Sequence, residues 1–335
     1  MRHRNKVVTI ILNWNGAEDS FACIAALKKQ TLQHTVVAVD NGSTDSFVEK
    51  AKKIDVVLLE NKKNLGFSGG VNTGIRYAIE NKFDSVALIN NDALPDPEWL
   101  ESLSSMLHDT RTGVVTGKLL RTDGNIDSTG DQYTSWGLAY PRGRDTKESG
   151  DFDKVEDVFA ATGGASLYRV SMLKEIGLFD EDFFAYYEDV DMSFRAQLAG
   201  WKVVYTPNAV AYHKVGASSG KVPGLTTYMT IKNLPWLLWK NVPLRLLPAV
   251  IPRFTIAYTS IVISSLAKGR IMPTAKGLFM SIILMPKKLY QRWTIQRNKK
   301  VTANYIKSMM TYDLPPNAHK LIKLRSTLRK LRFWS

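Results

Sequence analysis

The chain has 335 residues, 44% hydrophobic and 23% charged, a balance that excludes wholesale disorder and fibrous repeats. Its length suits about two domains, and its single cysteine, Cys23, excludes both an intramolecular disulfide framework and a cysteine-built zinc site, as suits a reducing compartment. The net charge of +14 is unevenly spread. Residues 221–335 carry 21 Lys and Arg against one acid, Asp313, net +20, which leaves 24 basic and 30 acidic residues, net −6, in the first 220. A mildly acidic body precedes a strongly basic last third, and that third implies a polyanionic partner, either nucleic acid or an anionic membrane face.

The basic start and the apolar run at 7–12 do not make a targeting peptide. The run is only six residues, ends at Asn13-Trp14-Asn15 and has no small-residue cleavage site behind it, so it reads as a first buried strand. Further strands are expected at 35–39, 56–59 and 86–89, apolar throughout, as in a sheet covered on both faces. Helices are expected between them at 21–30, 47–52, 70–81 and 97–107, with Asp19 and Ser20 as caps of the first and Pro97 in the first turn of the last. Strand–helix alternation predicts an α/β fold with a mostly parallel sheet, whose ligands bind beyond the carboxyl ends of the strands.

Residues 121–158 are polar and glycine-rich, read as long connections with one hairpin, of the length that functional lids have. Small apolar residues return through Gly163-Gly164, and a helix is expected at 171–176. A second helix opens on Glu188-Asp189-Val190-Asp191 and is closed by Gly200. Short strands at 201–205 and 209–212 lead to His213. Beyond them, the apolar runs at 254–267 and 277–286 fall short of the roughly 20 residues of a spanning helix. They read as interfacial or re-entrant segments, with a single span begun near residue 246 as the alternative. At 320–334, Leu321, Leu324, Leu328 and Leu331 recur at helical spacing among Lys and Arg, the pattern of a basic helix lying in a headgroup layer.

The chemistry lies at the strand ends. Asp92 follows a buried strand, where a carboxylate together with substrate phosphates can hold Mg²⁺ or Mn²⁺; a turn or cap aspartate before Pro95 is the alternative. Asp40 ends another strand and is either a hydrogen-bond acceptor for a base or ribose or a turn former. At the helix opening on Glu188-Asp189-Val190-Asp191, the macrodipole keeps a carboxylate ionised and so competent as a general base; the alternatives are that Asp191 pairs with Arg195 on the helix surface and that Glu188 or Asp189 only caps the helix. His213 is a packed strand-end histidine or a metal ligand. The glycines of 66–70 do not form G-x-G-x-x-G. Residues 113–118 are one residue short of a phosphate loop, and neither a nucleophile elbow nor a solenoid repeat appears.

Taken together, Asn13-Trp14-Asn15, Val39-Asp40-Asn41-Gly42-Ser43-Thr44-Asp45, Asn64-Leu65-Gly66-Phe67 with Gly70 and Asn72, Asn90-Asn91-Asp92, Gly163-Gly164-Ala165, Phe179-Asp180-Glu181, Tyr187-Glu188-Asp189-Val190-Asp191 and Tyr212-His213 resemble the family 2 inverting glycosyltransferases of GT-A fold, especially the rhamnosyltransferase-like branch. The resemblance covers about residues 6–215. It implies a GT-A catalytic domain at 1–220 and a basic, mainly helical, membrane-associating region at 221–335. It further implies a nucleotide-diphosphate-sugar donor, contacted by Leu12, Trp14, Asp40, Gly69, Gly70, Asn72 and Asn91. The acceptor side falls to Gly163, Gly164 and Glu188, the metal (Mg²⁺ or Mn²⁺) to Asp92 and His213, and the base to Asp189. Asn90 stands where the family's D-x-D motif has its first acid, which removes one formal charge from the metal site.

The resulting expectation is a metal-dependent enzyme on the cytoplasmic face of the cell membrane. It would transfer a sugar, rhamnose from a dTDP donor as first choice, to a hydroxyl of a lipid-linked or surface glycan, with no nucleic-acid partner. The competing readings are a non-catalytic nucleotide- or nucleic-acid-binding protein using the basic tail, and a sugar nucleotidyltransferase. The first is disfavoured by the apolar residues interleaved with the tail's charges, Trp236-Leu237-Leu238-Trp239 among them. The second is disfavoured by the lack of a glycine-rich loop after the first strand.

Overall fold

The computed structural model describes residues 5–214 and 222–314; the basic helix expected at 320–334 lies outside them. The body alternates strands β1 (Val7–Asn13), β2 (Thr35–Asp40), β3 (Val57–Glu60) and β4 (Ser85–Asn90) with helices α1 (Ala17–Leu27), α2 (Phe47–Ala51) and α3 (Gly66–Glu80). After β5 (Ala93–Pro95) and α4 (Trp99–Ser105) come β6 (Thr112–Arg121), β7 (Ile126–Ser128), β8 (Asp131–Tyr133), β9 (Ala139–Pro141), β10 (Glu156–Asp157) and β11 (Ala165–Arg169). The body ends with α5 (Val170–Ile176), α6 (Glu188–Leu198) and β12 (Lys202–His213).

The main sheet runs β10-β12-β6-β11-β4-β1-β2-β3. Its β4-β1-β2-β3 half is parallel, as the alternation predicts, and β12 is parallel to β6, whereas β11 lies antiparallel between β4 and β6. Side chains alternate between faces along each strand. Val8 and Ile10 of β1 therefore join one core layer with Val37 and Val39, and Val7 and Ile11 join the opposite layer with Ala38. Both layers are covered by helices, which is why these strands read as continuous apolar runs.

Several local expectations shift. Helix α1 starts at Ala17, so Asp19 and Ser20 sit within it; Ser20 Oγ donates instead to Asn13 Oδ1 at 2.7 Å. Pro97 precedes α4, where the Asp96 carbonyl accepts from the Trp99 amide. The two expected short strands near 201–212 are one strand, β12, with an irregular register between Tyr205 and Val210. Residues 112–121, noted in the sequence only as a failed phosphate loop, form central strand β6. The expected hairpin within 121–158 is β8–β9.

The last third is helical: α7 (Leu225–Asn241), α8 (Leu247–Ala267), α9 (Ile271–Ile283), α10 (Met285–Arg297) and α11 (Ala303–Met309). A third core cluster joins it to the body, with Val190, Phe194 and Leu198 of α6 against Leu234, Leu237 and Leu238 of α7. Among the described residues one segment, Leu244–Ala267, is long and apolar enough to cross a membrane, with a mean hydropathy of 1.6. Asp191 does pair with Arg195, at 2.9 Å, but inside the protein rather than on a helix surface, because α7 covers α6 and adds Lys240 and Asn241 to the same carboxylate.

Candidate active site

A cavity of about 670 Å³ opens beyond the carboxyl ends of β1, β4 and β12. It brings together Leu12, Trp14, Asn91, Asp92, Gly163, Gly164, Glu188, Asp189 and His213, residues up to two hundred positions apart in the chain. Asp40, Gly69, Gly70 and Asn72 do not line it. The Asp40 carboxylate is occupied by the amides of Gly42 and Ser43 and by Asn13 Nδ2, so it holds its own turn. A Cβ on Gly70 would come within 2.8 Å of Leu12 Cδ2, and one on Gly69 within 2.6 Å of Leu65 Cβ; both glycines serve close packing of and around α3. Asn72 exchanges hydrogen bonds with the Phe179 backbone and Glu181, tying α3 to the segment before α6.

At one end, α6 begins with its carboxylates turned into the cavity. Asp189 Oδ2 accepts from the Gly163 amide at 2.8 Å and Oδ1 from the Val190 amide at 2.8 Å. Gly163 is needed for this approach, since a Cβ there would lie 3.3 Å from both Asp189 Oδ2 and the Phe67 ring. Burial raises the Asp189 pKa above the ordinary carboxylate range, while the Gly163 and Val190 amides pull it back down by favouring the anion. Glu188 is pushed well above that range, by burial first and by the Asp189 charge second. Its Oε2 has no hydrogen-bond partner among the described residues. Asp131, on β8, is raised in the same way. Of these three acids, Asp189 is the one whose anion is stabilised by amides of other residues, Glu188 having only its own.

At the other end, His213 Nε2 lies 3.1 Å from Asp92 Oδ1, and its Nδ1 lies 2.8 Å from Asp127 Oδ2. Burial lowers the histidine's pKa, but the two carboxylates outweigh it and raise it to about 9. Asp127 is held in turn by Arg144, which also donates from Nε to the Asp127 carbonyl at 3.2 Å. Among the described residues no three metal-ligating side chains converge, so the protein alone builds no closed cage. Asp92 and His213, adjacent on an open cavity wall, match the sparse donor set with which Mg²⁺ or Mn²⁺ is shared between a carboxylate and substrate phosphates. Asp127 on the far imidazole nitrogen is the orienting partner that ligating histidines have.

Asp127, Asp131, Arg144 and the wall at Phe184–Tyr186 are absent from the residues singled out in the sequence. Asp127 and Asp131 sit in a polar stretch with no periodicity to mark them. The pairing of β7 with β6, with Ser128 opposite Leu119, carries Asp127 to the cavity, and the bridge from Asp131 to Ala160 carries Asp131.

Residues 9–177 match the model of glycosyl transferase family 2. The low-salt glycan biosynthesis hexosyltransferase Agl10 of Haloferax volcanii is 28% identical over 169 residues, 48% of this chain and 52% of that protein. The N-acetylglucosaminyl-diphospho-decaprenol L-rhamnosyltransferase of Mycobacterium tuberculosis is 31% identical over 213 residues, 56% of this chain and 69% of that protein. The match with the first of these spans only about half its length. Among solved structures, GalNAc-T7 with UDP, GalNAc and Mn²⁺ superposes with a TM-score of 0.58 at 16% identity, over 72% of this chain and 48% of that one. The mannosyltransferase PcManGT from Pyrobaculum calidifontis, in complex with GDP-Man and Mn²⁺, gives 0.55 at 15% identity over 88% of both chains. At these identities the likeness is one of fold.

Proposed function

The chain belongs to glycosyl transferase family 2 and is a glycosyltransferase, and we propose that it works by inversion on a nucleotide-diphosphate-sugar donor, passing the sugar to a hydroxyl of a lipid-linked or surface glycan. The observation that carries this reading is the cavity's division. A half-buried, amide-held carboxylate, Asp189, stands at one end, and a carboxylate–histidine pair, Asp92 and His213, stands at the other.

Leu12, Trp14 and Asn91 border the donor nucleotide, with Asp40 supporting the adjoining turn. Asp92 and His213 hold a divalent ion, which when bound screens the charge that builds on the departing diphosphate. Gly163, Gly164 and Glu188 border the acceptor. Asp189 takes the proton from the acceptor hydroxyl as its oxygen bonds to the anomeric carbon and the bond from that carbon to the phosphate oxygen breaks on the opposite face. One in-line displacement inverts the configuration, and Asp189 ends protonated.

Rhamnose from a dTDP donor is the proposed sugar, supported by the rhamnosyltransferase relative. The division near residue 220 is one of charge and task, since α6 and α7 share a core. The basic, apolar-faced last third supports a position on the cytoplasmic face of the membrane, whose leaflet is anionic. The test is a panel of nucleotide-sugars with Mg²⁺ or Mn²⁺, read by thermal shift and by release of nucleoside diphosphate in the presence of polyprenyl-diphosphate-linked sugars. A shift and acceptor-dependent release with dTDP-rhamnose is expected. No shift with any nucleotide-sugar in either metal sinks the proposed mechanism of transfer. A response confined to another donor corrects the sugar alone.

A further inference from the structure

The cavity wall next to the base is built in a backbone conformation that its residues disfavour. Phe184, Tyr186 and Tyr187 have φ of 65°, 68° and 71°, in the left-handed region where a bulky side chain crowds its own backbone. All three line the cavity, and Tyr187 immediately precedes helix α6, which carries Asp189. Such a turn persists only where its surroundings over-determine it.

What holds it comes from the last third of the chain. Asn233 of α7 is fully buried, and its Nδ2 faces three carbonyl oxygens of the turn, Phe183 at 3.0 Å, Ala185 at 2.9 Å and Tyr186 at 2.8 Å. The next residue back, Lys232, donates from Nζ to the carbonyls of Asp182 at 2.7 Å and Phe183 at 3.3 Å. The Asn233 amide can point only this way, because the reverse would set Oδ1 against three carbonyl oxygens. In the observed orientation Oδ1 is buried with no partner among the described residues, a cost accepted for the three contacts.

We propose that Asn233 is a positioning residue for acceptor recognition: from α7 it holds the Phe184–Tyr187 turn in its strained form, so that Tyr186 and Tyr187 face the acceptor sugar and α6 presents Asp189 to its hydroxyl. This rests on the glycosyltransferase reading above and adds to it that the helical last third completes the acceptor half of the site. The donor half, on the ends of β1 and β4, does not touch Asn233.

The test compares wild type with Asn233→Ala and Asn233→Ser. Affinity for dTDP is measured by calorimetry in Mn²⁺, and transfer to a soluble octyl N-acetylglucosaminide is measured with the donor that turns over in the panel. Both variants are expected to bind the nucleotide as wild type does, while kcat/KM for the acceptor falls about 10- to 100-fold, chiefly through KM, and less in Ser than in Ala. Unchanged acceptor kinetics in either variant overturn the proposal. So does a parallel loss of nucleotide binding or of folding in both, which would make Asn233 a general structural residue. A wild type that transfers no sugar from any donor is a different result, and it removes the reading on which the proposal rests.

Discussion

Asp189 is asked to be both dry and ionised. Burial raises its pKa, while the backbone amides of Gly163, Val190 and Asp189 itself favour its anion. The proton-accepting form is therefore reached above the ordinary carboxylate pKa of about 3.9. The expected pH profile of kcat/KM has an acid limb displaced upward from that value, with activity rising as Asp189 loses its proton. A buried group with a raised pKa also works against the fold when ionised, since its favourable contribution is present at low pH and lost as pH rises through the folded value. Asp189→Asn is thus expected to lower transfer by at least about a hundredfold, to bind nucleotide unchanged and to melt no lower than wild type at neutral pH. Transfer rates, calorimetry and thermal melts check the three parts separately.

At the scale of elements, the junction between body and last third is electrostatic as well as apolar. Asp180, at the start of the turn before α6, accepts from Lys240 of α7 and Lys288 of α10, each at 2.7 Å, and Lys288 also reaches Asp182 at 2.7 Å. Burial would raise the Asp180 pKa, yet the two ammonium groups hold it well below the usual range. Removing the carboxylate takes one of two acids from each buried cation, Lys240 keeping Asp191 and Lys288 keeping Asp182, so Asp180→Ala is expected to cost about 1.5–3 kcal/mol in urea unfolding. Because the folded pKa is depressed, this stabilisation is present above about pH 4, the unfolded carboxylate value, and is lost as pH falls below it. An acid titration of wild type against the variant should show the difference between them shrinking on that side.

Helix α9 inverts the usual arrangement of a surface helix. Its buried residues are Thr274, Gly277 and Ser281, whereas Phe279 and Ile282 are 61% and 70% exposed. Small residues face α7, where a Cβ on Gly277 would sit 3.0 Å from Ile231, and the large apolar ones face outward. That is packing suited to a lipid surround rather than to water.

Over the whole molecule, exposed apolar side chains recur along three successive helices: Ile263 and Leu266 on α8, Ile271 and Met272 on α9, and Tyr290 and Trp293 on α10. They lie in the part of the chain that carries net +20. Apolar faces of this extent mark interaction sites, and their combination with that charge suits an anionic lipid surface. The protein is expected to float with vesicles containing phosphatidylglycerol and much less with neutral ones. Replacing Phe279 and Ile282 together by Asp should weaken that association at least about tenfold, with dTDP affinity unchanged. Equal flotation of the double variant would place the contact elsewhere.

The strands were legible because burial on both faces leaves uninterrupted apolar runs, and the ligand edge was legible because parallel strands end on one side of a sheet. Asp92, Asp189 and His213 were nameable on that basis, and the motif order made the family recognisable. What the linear chain could not specify was proximity. Asp40 and Asn72 have the right chemistry for a ligand, yet local turns and α3 packing occupy their polar groups. Strand β6, with glycines at 113 and 117, broke the apolar pattern and was not expected as a strand. Asp127 reaches His213 only through hairpin pairing, and Asn233 reaches the turn before α6 only because α7 covers α6. The sequence by itself determined which elements form and the split of charge between body and tail. The tertiary structure alone decided which carboxylates are dry, which are paired and which face the cavity, because desolvation and hydrogen bonding depend on neighbours that lie far apart in the chain.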